Sequence, residues 1–204
     1  MKDKLKFKKL LNEYRSLESE FEYNSEVLRE SGEAFECTYL KWCDDNGVDF
    51  QALYDKKNKT VAIPPPPQSK EKDVSRFEPQ DKQTKHKDLF KSVAKKMHPD
   101  KLNSEDPRQE EYMTAFQRAT SAMNESQWGE LFDVIDKYQI EIPNYEEANE
   151  SLEKDIKRMQ EKLKGQKSTY TWFLQNCEGD PVCEDMVIQA YLKQVFGWDG
   201  TKGA

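Results

Sequence analysis

At 204 residues, with 35% charged and 35% hydrophobic residues and a mean hydropathy of -1.03, the chain cannot fill one large spherical core. Its net charge of -7 disfavours general nucleic-acid binding. No apolar run approaches a membrane span, and the opening Met-Lys-Asp-Lys-Leu-Lys has no signal-peptide hydrophobic region, so a cytoplasmic, all-α protein of narrow apolar seams is expected.

In chain order, Phe7, Tyr14, Phe21 and Leu28 are spaced by seven with Leu10 and Leu17 interleaved, an a/d seam interrupted at Asn24 and Ser31. A second helix is predicted from Glu33 to Asp45, carrying Phe35, Tyr39, Leu40 and Trp42. Asn46-Gly47 signals a turn, and Asp49 to Lys57 forms a short third helix. Residues 1–57 are thus expected to form an N-terminal helical hairpin or coiled coil. Residues 58–80 are a linker around Pro64-Pro65-Pro66-Pro67, which favours polyproline II and serves as a stiff spacer.

Residues 81–143 carry the most informative pattern. Leu89, Phe90, Val93, Ala94 and Met97 line one helical stripe, and Lys87, Lys91 and Lys95 line another at i, i+4 and i+8. His98 lies seven residues beyond Lys91 and emerges on nearly the same side. Pro99 then stops the helix, because its ring disfavours helical geometry at the residue before it. Residues 82–101 hold seven lysines against Asp88 and Asp100, a local +5 that leaves -12 for the rest. After the loop Lys101 to Pro107, a helix is expected with Asp106 as N-cap, Pro107 at its first position and Gln109 closing a capping box. Its expected inner face is Tyr112/Met113, Phe116, Ala119/Thr120 and Met123. A further helix follows, with Trp128, Leu131, Phe132, Ile135 and Tyr138 on one side, and the domain is expected to end near Ile142-Pro143.

The basic helix, His98-Pro99-Asp100 and the facing helix resemble the J-domain, the defining module of DnaJ-like co-chaperones. The resemblance covers residues 81 to 125, about a quarter of the chain. It implies that His98, Pro99 and Asp100 engage the ATPase domain of a DnaK-type chaperone and stimulate its ATP hydrolysis. It also implies that Lys87, Lys91, Lys95, Lys96 and Lys101 dock on an acidic surface of that partner. A typical member opens with a short helix carrying Tyr and Leu-Gly. Here that stretch is Lys70 to Pro79, without Leu-Gly, so a shortened stand-in or a helix from elsewhere in the chain is needed. Short J-bearing proteins of viruses, phages included, share this layout, which would place the chain in a host cytoplasm.

In residues 144–204, Tyr145 to Lys164 shows Leu152, Ile156, Met159 and Leu163 at 4-3-4 spacing, with Gly165 as the stop. Tyr170, Trp172, Phe173 and Leu174 cluster, and Asp180-Pro181 starts a last helix with Val182, Met186, Val187, Ala190, Tyr191 and Val195 as its apolar set. Pairing the two terminal seams with each other, or with a second copy in a homodimer, would bury both. The cysteines fall as Cys37-x5-Cys43 and Cys177-x5-Cys183, off the spacing of structural zinc, and are expected as reduced thiols in a reducing compartment, although a Cys177–Cys183 disulfide closing the Glu-Gly-Asp-Pro turn is geometrically possible. No metal, cofactor or enzyme constellation is expected. The helical ends would select a client. The rival expectation is a structural or assembly protein, such as a virion scaffold, that uses a J-like hairpin and coiled coils for protein–protein contact.

Overall fold

The structure, a computed structural model, describes residues 1–60, 86–98 and 107–201. The described residues form eight helices and no strand: α1 (Lys2–Asp45), α2 (Phe50–Thr60), α3 (Lys87–Met97), α4 (Gln109–Glu125), α5 (Trp128–Lys137), α6 (Tyr145–Lys167), α7 (Tyr170–Gln175) and α8 (Pro181–Phe196). The expected break between a first and a second helix near Ser31 is corrected, for α1 runs unbroken to Asp45. It contains no proline, and its one glycine, Gly32, costs a helix only about 1 kcal/mol relative to alanine. The turn falls at Asn46-Gly47 as the sequence predicts, with Gly47 left-handed at φ 65°. Asp49 then caps α2 by accepting from the Ala52 N–H at 2.9 Å.

The chain divides into two compact units. The first holds residues 1–19 and the described part of 71–160; the second holds the described parts of 20–70 and 161–204. In the first unit Leu89, Val93 and Met97 of α3 share a core with Ala115, Ala119 and Ala122 of α4 and with Leu131, Phe132 and Ile135 of α5. Phe7, Leu10, Leu11 and Tyr14 of α1 and Leu152 and Ile156 of α6 close the same core. The two terminal seams therefore meet, yet not as an isolated coiled coil: three further helices are buried with them. Phe7 sets its ring edge-on to Phe132 at 5.4 Å and to Tyr145 at 5.5 Å. Arg15 forks to Asp133 at 2.7 Å and Asp136 at 3.0 Å, tying α1 to the outer side of α5.

One boundary and one face in the first unit differ from the sequence expectation. α4 starts at Gln109 with Arg108 at its N-cap position, so Pro107 lies in the preceding turn; Asp106 is outside the described residues. The buried row of α4 is Ala115, Ala119, Ala122 and Met123, while Met113 is exposed and Tyr112 and Phe116 are half-buried. Small alanines face α3 and α5 because they let the helix backbones approach, and the larger rings lie at the margin. Finally, α5 begins where Gly129 donates its N–H to the Asp155 carboxylate of α6 at 2.8 Å, a cap reaching across from another helix.

The second unit is an aromatic cluster. Phe35, Tyr39 and Cys43 of α1 meet Ile188, Leu192 and Phe196 of α8, with Val48 and Trp198. Tyr191 lies 4.9 Å from the Phe35 ring and 5.1 Å from Tyr39, and Trp42 donates to Asp185 at 2.8 Å. α6 passes Gly165 and ends at Lys167, because Gln166 donates to the Phe21 carbonyl and Lys167 pairs with Glu20 at 2.6 Å. Asp180 and Pro181 start α8 as expected, the Asp180 carboxylate accepting from the Val182 N–H. Of the apolar set of α8, Tyr191 and Val195 pack against the core beside buried Ile188, Leu192 and Phe196, whereas Val182 and Met186 are exposed. The expectation of four reduced thiols is corrected as well, since Cys177 and Cys183 form a disulfide; Cys37 and Cys43 are free.

Candidate docking site at the end of α3

α3 owes its position to one buried row. Leu89, Val93 and Met97, four residues apart, enter the core at 5%, 0% and 0% exposure. This orientation leaves Lys87, Lys91 and Lys95 exposed along the helix. At its start His86 takes a left-handed backbone at φ 59° and is buried, its ring 5.0 Å from Trp128 and 5.1 Å from Phe132. His86 Nε2 lies 2.9 Å from the Ser151 Oγ. The Ser151 hydroxyl donates its proton to the Glu147 carbonyl at 3.0 Å, so its oxygen accepts from His86 and the ring carries a proton on Nε2. Sequence inspection offered His86 no role; the αL entry and the α6 serine that hold it are tertiary features.

At the other end, His98 has an extended backbone (φ -62°, ψ 131°), the geometry a residue before proline prefers, and its N–H still donates to the Ala94 carbonyl. Its ring is half-buried and edge-on to Phe116 of α4 at 5.3 Å, which in turn stacks on Phe90 at 6.0 Å. His98 is therefore not displayed free at the tip of the helix: one flank of its ring rests on an aromatic shelf. Pro99, Asp100 and Lys101 lie outside the described residues.

The lysines are not equivalent. Lys91 pairs with Asp88 at 2.8 Å, and that hydrogen bond holds the Asp88 carboxyl below the usual range. Both groups are exposed, so the pair adds little stability, although it trims the local positive charge. Lys96 donates to the Tyr138 carbonyl at 2.6 Å, at the C-terminal end of α5 where a cation complements the helix dipole. Tyr138 meanwhile donates to Glu111, whose carboxyl is held low chiefly by its hydrogen bond from Lys137. Lys96 is thus engaged within the fold, and the helix-end contact that engages it lies forty-two residues away. Lys87 and Lys95 complete the exposed cationic row.

Among the described residues no group of three or more His, Cys, Asp or Glu is placed to hold a metal ion, and no helix is long and apolar enough to cross a membrane. Comparison with family models, with curated proteins and with solved structures finds no match for the chain. The site therefore rests on its own residues.

Proposed function

We propose that the chain is a J-type co-chaperone, acting in the cytoplasm, whose His98-Pro99-Asp100 segment engages a DnaK-type ATPase and stimulates its ATP hydrolysis. The observation that carries this reading is the delivery of His98, in extended geometry, from a basic helix directly into Pro99-Asp100. Phe116 supports the His98 ring, so less ordering is needed on contact. Asp100 is best matched by an arginine, whose planar fork fits a carboxylate. Lys87, Lys91 and Lys95 would meet an acidic surface and act mainly on encounter rate. Residues 1–19 of α1, packed on the core of α3, α4 and α5, would take the place of the opening helix missing from residues 70–79.

The test is single-turnover ATP hydrolysis by a DnaK-type chaperone with and without the full chain. Wild type should raise the rate, and Asp100→Asn or His98→Gln should abolish the rise while leaving far-UV circular dichroism unchanged. Equal stimulation by wild type and Asp100→Asn overturns the role given to Asp100.

A further inference from the structure

We propose that Cys177 and Cys183 form a redox-active pair, opened and closed by exchange with a small cytoplasmic thiol, and that opening it releases α7 from α8. The bond joins the end of α7 to the first turn of α8 across only six positions. It therefore constrains the unfolded chain less than a long-range bond would, and its effect is local. The element it holds is α7, six residues long, below the length at which a helix stands alone, and without a buried side chain of its own. Tyr170 and Leu174 rest on the second core only in part, Tyr170 with its ring 5.3 Å from that of Tyr191. Cys177, just beyond the helix, is by contrast buried at 5% exposure. The closed loop also keeps two consecutive residues left-handed, Glu178 at φ 51° and Gly179 at φ 82°. Glycine tolerates this, but the Cβ of Glu178 is crowded there, so closure works against a local strain.

Access fixes the point of exchange. Cys183 is partly exposed, whereas Cys177 is not. The thiolate of a small thiol attacks the Cys183 sulfur; the S–S bond breaks, and Cys177 leaves as a thiolate that takes a proton from water. A second small thiol then attacks the sulfur of the first in the mixed disulfide, freeing Cys183, which is protonated in turn. Two small thiols become one small disulfide, and the pair gains two electrons and two protons. Closure is the reverse. Cys43 takes no part, because it is buried and its thiol pKa is pushed up to about 11. A strained, accessible disulfide is the labile kind, and in a reducing compartment such a bond reports redox state rather than fortifying the fold. The proposal rests on the cytoplasmic setting given above and on nothing else in that reading.

The test uses the full chain with Cys37→Ser, which removes the exposed free thiol, in native buffers of reduced and oxidised glutathione. At the cytoplasmic ratio of the two, the pair should be roughly tenfold more open than closed, read by alkylation and peptide mass. Amide exchange over residues 170–180 should rise roughly tenfold with it, while Tyr39 and Leu192 keep their protection. Cys177→Ser/Cys183→Ser should show the raised exchange and ignore glutathione. A pair that stays closed until urea unfolds the chain is structural and overturns the proposal. Unchanged exchange after opening overturns the release of α7. Neither result bears on the ATPase assay, and a chain that fails to stimulate ATP hydrolysis leaves the redox result standing.

Discussion

Gly129 sits where α5 crosses Tyr14, and a Cβ there would fall within 2.6 Å of three atoms of that ring. Alanine would improve helix propensity by about 1 kcal/mol, but Tyr14 is only 5% exposed and has no room to retreat. Overpacking of this kind costs about 1–3 kcal/mol, so Gly129→Ala should lower the denaturant midpoint. Adding Tyr14→Ala should relieve part of the clash, and the double-mutant cycle should report a clear coupling. Beside it, Glu18 accepts from the Tyr14 hydroxyl at 3.3 Å, and burial, reinforced by Glu130, raises its carboxyl pKa. A folded-state pKa above the unfolded one means that ionisation at neutral pH opposes folding. This cost appears as pH rises through the window between the two values and is absent below it. Glu18→Gln, which keeps an acceptor for Tyr14, should therefore raise the thermal midpoint at pH 7. The gain should vanish in acid; an equal gain at both pH values would show that the charge is not the cause.

At the scale of the helix, the buried rows make separable predictions. Met97 is fully buried and Met113 is 37% exposed, although both belonged to apolar stripes in the sequence. Met97→Ala should cost about 2–5 kcal/mol in urea unfolding, and Met113→Ala less than about 1 kcal/mol. The contrast also explains what could be read in advance. α3 has polar residues on every side but one, so its periodicity admits a single inner face, and Leu89, Val93 and Met97 were legible. α8 is apolar nearly all round, and spacing alone could not choose Ile188, Leu192 and Phe196 over Val182 and Met186. α4 was legible in part: Ala119 and Met123 of its expected face are buried, while close helix packing adds Ala115 and Ala122 and leaves Tyr112 and Phe116 at the margin. The caps of α2 and α8 were legible because Asp49 and Asp180 act on neighbours in sequence. Those of α5 were not, since Asp155 and Lys96 come from distant helices.

At the scale of the molecule, both long helices serve both units. Residues 1–19 of α1 belong with α3, α4 and α5, and the rest of α1 belongs with α2, α7 and α8. Sequence order divides the chain into four successive stretches, because composition marks the proline-rich spacer; the two unpaired terminal seams were the one sign of a partner a hundred residues away. Deleting residues 1–19 would remove Phe7, Leu10, Leu11 and Tyr14 from the first core. Amide exchange in α3, α4 and α5 should then rise by orders of magnitude, approaching the rate of an unfolded segment. Protection that persists there would mean that these three helices hold together alone.

The dependence of that core on the first helix has a consequence for how the protein is made. Phe7 leaves the ribosome more than a hundred residues before Phe132 and Tyr145, which cover it. At about 5–20 residues per second the wait is on the order of ten seconds. Until α3, α4 and α5 have emerged in turn, Phe7, Leu10, Leu11 and Tyr14 lack the neighbours those helices supply. A protein proposed to stimulate a chaperone's ATPase is, during its own synthesis, an unfinished chain with an uncovered seam.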